Sequence, residues 1–259
     1  MNPPPSSPEC KVKELAGSPA AAYRTLNYGD MPLRKVLWAE FLFFFVGYLP
    51  GPLGLFLRMK LYPSLFRSCG RKVVFGRALT IRHPHKISLG DGVVLDDGAT
   101  IDAKGATNRG IALGDKVYVG RASTLYCKNG DISVGDRTSF SASCIVFSSN
   151  RLTIGPDTVV ASFSYILSGG EYDMADPTPF ALQKGTCTKG PLDIGESCWI
   201  GAGAKILDGA SIGSRSVVGA GAVVNRPVPP DSIALGVPAR SRPRPPVPAA
   251  PPPPPPPAP

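Results

Sequence analysis

The residues best suited to chemistry lie in one stretch, residues 168–180, with the sequence SGGEYDMADPTPF. Gly169 and Gly170 precede Glu171, Tyr172 and Asp173, and Asp176 and Pro177 close the group. A glutamate takes a proton from an attacking hydroxyl or amine only if burial raises its pKa from about 4.3 towards neutrality. A phenol with a pKa near 10 stays protonated at neutral pH, so Tyr172 suits positioning an acceptor better than deprotonating it. Asp173 and Asp176 read either as polar contacts to a substrate or as solvated loop charges. Histidine is the side chain whose ordinary pKa fits proton transfer near neutral pH. None is present here; the chain holds only His83 and His85, in RHPHK.

These residues interrupt a six-residue rhythm. Large apolar residues fall at Leu89, Leu95 and Ile101, then Leu113, Val119 and Leu125, then Val134, Phe140 and Val146, then Ile154, Val160 and Ile166. An unbroken run follows: Ile194, Ile200, Ile206, Ile212, Val218 and Val224. A Gly follows the first apolar residue of most sets, as in SLGD, ALGD, SVGD and TIGP. Three hexads make one coil of 18. Every extra residue falls after the third hexad, with the excess being two, six, three, two and twenty-two after Ile81, Ile101, Leu125, Val146 and Ile166. A triangular coil with its insertions at one corner accounts for both facts. The pattern predicts an all-β solenoid of stacked parallel strands, with one apolar residue per side pointing inward. Small Gly and Asp residues suit its tight corners. The largest insertion, loop 167–193, carries Glu171 to Asp176. A long loop on a rigid scaffold is a natural place for function.

Composition divides the rest. The formal charge of +9 sits at the ends. Residues 1–30 read as a disordered tail, and residues 238–259 as a Pro-rich disordered tail. Residues 31–72 form an apolar and basic helical segment. Its 17 uncharged residues between Glu40 and Arg58 are fewer than the about 20 a spanning helix needs, and Pro50 and Pro52 break it. Two short helices are expected, lying on a membrane surface as a peripheral anchor or capping the next domain. The solenoid proper is assigned to residues 73–237. The six cysteines form no CxxC pair, and residues 1–30 lack the apolar region of a signal peptide, so a cytoplasmic protein is expected, at the inner membrane face if the anchor holds. No nucleic-acid-binding motif is present.

The segment IGESCWIGAGAKILDGASIGSRSVVGAGAVVNRPVPPDSIALGVPAR strongly resembles the C-terminal coils of hexapeptide-repeat acyltransferases. TIRHPHKISLGDGVVLDD resembles the early coils of members found with polysaccharide biosynthesis. The resemblance covers roughly residues 45–240. It implies a left-handed parallel β-helix, against the usual right-handed crossover. It also implies a homotrimer with acyl-CoA, such as acetyl-CoA, in grooves between subunits, and a small-molecule or lipid-linked sugar as acceptor. Trp199, Gly201, Ala202, Ala220 and Ala222 would line the acyl-CoA groove, with Arg226 and Arg240 meeting the phosphates. In the family the loop commonly reads Gly-Gly-x-His-x-x-x-Asp-Pro. Here the histidine column falls on Glu171 or Tyr172, which become the candidate catalytic residues.

Two function classes follow. One is an acyl-CoA-dependent acyltransferase, most simply an acetyltransferase for a hydroxyl or amine of a sugar. The other is an inactive trimeric scaffold or ligand-binding protein at the membrane surface. A carbonic anhydrase on the same solenoid would need three zinc-binding histidines and is excluded by the count, so no metal is expected.

Overall fold

The computed structural model describes residues 18–170, 172–180, 182–183 and 187–245. Short parallel strands stack into three flat faces. The first face holds six strands, among them Ile87–Leu89, Ile111–Leu113, Asp131–Val134, Arg151–Ile154 and Leu192–Ile194. The second holds nine, from Val74–Phe75 through Trp199–Ile200 and Val217–Val218. The third holds seven, from Thr80–Arg82 through Ile145–Ser148, Tyr165–Ser168 and Lys205–Ile206 to Val223–Val224. Neighbours in each face pair in register: Leu89 with Leu113, Leu113 with Val134, Val134 with Ile154, and Ile154 with Ile194. The result is a parallel β-solenoid of about seven turns, consistent with left-handed winding. The hexad residues form its interior, with Leu95, Ile101, Leu125, Phe140, Val160, Ile166, Ile200 and Ile206 fully buried.

The corners differ from the expectation that their glycines serve the turn. The left-handed positions are mostly occupied by other residues: Lys72, Lys116, Arg137, Asp157, Ser197 and Arg215 at one corner, Ala78, Ala122, Ser143 and Phe163 at the next. The Gly of the LGD pattern has another task. A Cβ on Gly155 would lie 2.5 Å from Glu196 N, so only glycine lets the next coil approach. The Asp that follows ties the coils together. Asp115 Oδ1 accepts from Asp91 N–H (2.8 Å), and Asp136 Oδ1 accepts from Asp115 N–H (2.8 Å). Outside, Arg–Asp pairs climb the same corner at Arg71–Asp91, Arg137–Asp157 and Arg215–Asp231. Exposed pairs of this kind add little each.

Both ends of the solenoid are covered. At the N-terminal end lie α1 (Pro19–Asn27), α2 (Leu33–Phe45) and α3 (Gly51–Leu61). Ser18 caps α1 by accepting from Ala21 N–H, and Pro52 sits in the first turn of α3, where its missing N–H costs nothing. Part of the stretch assigned to a disordered tail is therefore helical, because tertiary contacts hold it. Tyr23 and Tyr28 hydroxyls donate to Glu40 Oε1 (2.6 and 2.7 Å), and His83 N–H donates to Asn27 O (2.7 Å). The first coil also starts earlier than residue 73, since Ser68–Cys69 pairs with Ser88–Leu89. At the C-terminal end Arg240–Pro243 runs antiparallel to Ser232–Leu235 and closes the second face. The Pro-rich tail thus begins after an edge strand, where proline is tolerated.

Arg58 joins cap and solenoid. It is 2% exposed, and among the described residues no carboxylate hydrogen-bonds to it. Its Nε donates to Phe75 O (2.9 Å), and Nη1 donates to Leu49 O (2.8 Å) and Val46 O (3.3 Å). One guanidinium therefore binds the end of α2, the α2–α3 connection and the first coil. Charge-assisted hydrogen bonds are worth about 1.5–3 kcal/mol each, and removing the donor leaves carbonyls unpaired. Arg58→Met is expected to lower stability by about 3 kcal/mol in urea titrations. A loss below about 0.5 kcal/mol would mean that water replaces the guanidinium at no cost.

Candidate active site

The 22-residue excess emerges from the third face after Ser168 and returns to the first face at Leu192. Its base is built tightly. Gly169 (φ +84°) and Gly170 (φ +91°) both need glycine's backbone freedom. A Cβ on Gly170 would also strike the Phe147 ring, 2.6 Å from Cε1. The two glycines that frame the loop are thus demanded by the backbone, whatever the chemistry.

Beneath them lies Asp208, 1% exposed, contributed by the following coil. Its Oδ1 accepts from Gly169 N–H (2.6 Å) and from the Thr188 hydroxyl (3.3 Å), and its Oδ2 accepts from Lys189 N–H (2.5 Å). Asn150 Nδ2 donates to Thr188 Oγ1 (3.2 Å). A single buried carboxylate therefore clamps both ends of the loop. Sequence reasoning missed it because Asp208–Gly209 looks like one more corner.

Gln183, 3% exposed, organises the interior of the loop. Its Oε1 accepts from Asp173 N–H (3.1 Å), and its Nε2 donates to Asp173 O (2.8 Å) and Thr178 O (3.2 Å). Asp173 Oδ1 accepts from Ala175 N–H (2.8 Å), and Asp176 Oδ1 from Thr178 N–H (2.9 Å). The Thr178 N–H holds the Asp176 carboxyl below its usual range. Both carboxylates are thus engaged in turns of the loop, each with one oxygen. Tyr172 stands on the exposed side, 46% exposed, with its ring 5.8 Å from that of Phe180. Glu171 lies outside the described residues.

The third face beside the loop carries an aromatic group. Phe147 packs on Tyr126 with centroids 4.7 Å apart, and is only 6% exposed although it points outward. Burial raises the Tyr126 pKa, and contact with Tyr165 adds to it. Cys144 and Cys198 point into the core, where burial pushes their thiols up, so neither is poised as a nucleophile. His83 is buried, with Nδ1 3.0 Å from Asp102 Oδ1, and anchors the N-terminal cap. His85 Nε2 lies 2.9 Å from Asp30 Oδ1. Burial lowers the His85 pKa. Both histidines sit four coils from the loop, about 19 Å at about 4.8 Å per coil.

The residues expected to meet acyl-CoA occupy a different corner, between the second and third faces of coils six and seven. Ala202 and Ala220 are exposed there, and Ala202 O accepts from Gly221 N–H (2.8 Å). Trp199 flanks this edge at 58% exposure. Gly201 is buried, and a Cβ on it would lie 2.5 Å from Ala220 N. Ala222 is a correction: it is fully buried among the interior residues, so its side chain cannot line an outside groove. Arg226 is exposed beyond the seventh coil, and Arg240 in the edge strand. The structure brings the loop residues together and the corner residues together. Within one chain, the third face separates the two groups.

Residues 193–226 match the family described as bacterial transferase hexapeptide (six repeats). The match falls on the sixth and seventh coils of the solenoid. Among curated proteins, a probable acetyltransferase of Mycobacterium tuberculosis is 30% identical over 160 residues, 62% of this chain and 52% of the relative. A putative acetyltransferase of Staphylococcus aureus is 30% identical over 106 residues, 35% of this chain and 53% of the relative. The chain spans about half the length of these relatives. Among solved structures, AntD, an N-acyltransferase from Bacillus cereus in complex with dTDP and 3-hydroxybutyryl-CoA, aligns with a TM-score of 0.51 at 20% identity, covering 73% of this chain and 89% of that one. This last likeness concerns the fold of the solenoid alone.

The clamp at Asp208 can be tested directly. Asp208→Ala removes a charged acceptor worth about 1.5–3 kcal/mol per hydrogen bond. Amide exchange at Gly169 and Lys189 is expected to quicken at least tenfold, with the amides of Ile200 and Val218 unchanged. Unaltered exchange at Gly169 and Lys189 would show that other contacts hold the loop.

Proposed function

We propose that the protein is an acyl-CoA-dependent acyltransferase that moves an acetyl group from acetyl-CoA to a hydroxyl or amine of a sugar, acting as a homotrimer. The observation that carries this reading is the clamped loop on a hexapeptide-repeat solenoid whose curated relatives are named acetyltransferases. The acceptor atom attacks the thioester carbonyl, the C–S bond breaks, and coenzyme A leaves as thiolate and takes up a proton. A base must remove the acceptor's proton as the new bond forms. Glu171 and Tyr172 fall in sequence where the family's loop carries its histidine, and that role is assigned to them. Tyr172, being exposed, suits holding the acceptor, and Glu171 suits taking the proton. Asp173 and Asp176 each keep one carboxylate oxygen outside the turn contacts described, available to sugar hydroxyls. Trp199, Ala202 and Ala220 would meet the pantetheine arm, with buried Gly201 letting the coils approach beneath them, and Arg226 and Arg240 would meet the phosphates.

The separation of the two groups supports an oligomer of this kind. A loop at one corner and a small-residue edge at another form one cleft only when a neighbouring subunit supplies the second. The acceptor is a free or lipid-linked sugar, and the protein works in the cytoplasm, at the inner membrane face for a lipid-linked acceptor. The missing histidine favours the second reading, a trimeric scaffold or binding protein without turnover.

Thiol release from acetyl-CoA, measured with a panel of sugars, separates the two readings. Glu171→Gln or Tyr172→Phe is expected to lower kcat by about 10²–10⁴, the usual contribution of a positioned acid or base. Turnover unchanged in both variants would remove the loop as the source of the base. No turnover with any acceptor, together with no coenzyme A binding by calorimetry, would leave the scaffold.

A further inference from the structure

We infer that the outer side of the helical cap is a docking surface for an anionic lipid bilayer. This inference rests on the cap alone and is independent of the acyl-transfer reading. α2 has two apolar sides. Val36, Ala39 and Leu42 turn inward and are buried, and Tyr62 and Phe66 continue that contact onto Phe75 of the first coil. On the other side Leu37, Phe41, Phe44 and Phe45 face out, with Phe44 78% and Leu37 62% exposed. Leu53 (67%) and Phe56 (56%) of α3 extend the surface. The exposed rings already touch: Trp38 stacks on Phe41 at 5.7 Å, and Phe45 lies 4.8 Å from both Phe41 and Phe44. Continuous apolar surface of this kind marks a binding site rather than ordinary exposure.

Charge selects the occupant. Residues 31–90 contain ten Lys and Arg and one acid, Glu40. Glu40 is held by the Tyr23 and Tyr28 hydroxyls of α1 and its flanking turn, so it is committed to the cap itself. Arg34, Lys35, Lys60 and Arg67 are exposed around the apolar side, and Lys60 Nζ lies 5.9 Å from the Phe56 ring centroid. Two copies joined through this surface would bring two basic rims together. A membrane with anionic headgroups meets the rim with opposite charge and the rings with acyl chains. Helices of 13 and 11 residues, about 20 and 17 Å long, are too short to cross the about 30 Å hydrocarbon layer, so they lie in its plane. Among the described residues, no helix is long and apolar enough to span.

The test is co-sedimentation of the full chain with vesicles of phosphatidylcholine alone and with added phosphatidylglycerol. Partitioning is expected to rise with phosphatidylglycerol and fall with salt. Phe44→Glu combined with Leu53→Glu should lower it at least tenfold, and Lys35→Glu several-fold, with the melting temperature unchanged because all three side chains are exposed. In a Trp199→Phe background, the Trp38 emission should shift to the blue on vesicles. Binding that survives Phe44→Glu with Leu53→Glu would assign it to other basic segments and overturn the inference. So would absence of binding together with an oligomer that these substitutions dissociate, which would make a second copy the occupant.

Discussion

Successive coils must lie one strand spacing apart over the whole length of the solenoid, and this closeness governs everything else in the molecule. At about 4.8 Å between backbones there is no room for a side chain where one corner sits on the next. Glycine at 90, 114, 135, 155 and 195 meets that demand, and the neighbouring aspartates turn the close approach into hydrogen bonds. One corner of each coil is fixed in this way, and Gly76, Gly120 and Gly201 do the same at the second corner of three coils. The third corner is the one that accepts extra residues, although at Gly130 it too brings the backbone close to Asn150 of the next coil. The position of the loop is therefore a consequence of where the solenoid can tolerate irregularity.

The same constraint makes the ends of the solenoid expensive. An open coil would expose strand edges and interior apolar residues, so each end needs a cover. The C-terminal end uses a short antiparallel strand. The N-terminal end uses helices, and they are attached through a buried arginine hydrogen-bonded to three main-chain carbonyls. This attachment is polar and directional, where the rest of the cap contact is apolar packing. It fixes the orientation of α2, and hence which of its two apolar sides is left facing outward.

Much of the fold was legible in the sequence, because period and insertion corner are both one-dimensional signals. Leu89, Leu113, Val134, Ile154 and Ile194 stack in the register their spacing predicts. What could not be read depends on contacts between distant segments. Pro19–Asn27 is too short to be helical alone; it is held by Glu40 and His83, from elements it meets only in the folded chain. Ala222 looks like an edge residue beside two glycines, yet the strand alternation turns it inward. In the loop, the glycine frame and the acidic residues were visible. Asp208 and Gln183 were not, because each is an ordinary polar residue until the loop folds over it.

The clamp under the loop also orders events in time. Gly169 and the carboxylate that binds its amide are 39 residues apart, and the carboxylate comes later. A chain emerging from the ribosome completes five coils and the entire loop before Asp208 exists in the folded part. Until the sixth coil is laid down, the loop has the Asn150–Thr188 contact but lacks the carboxylate that joins its two ends. The solenoid can thus grow without the loop, but the loop cannot settle without further growth. Its assembly is tied to the progress of the scaffold beyond it, so a chain that stalls after the fifth coil would carry a sound interior and an unformed loop.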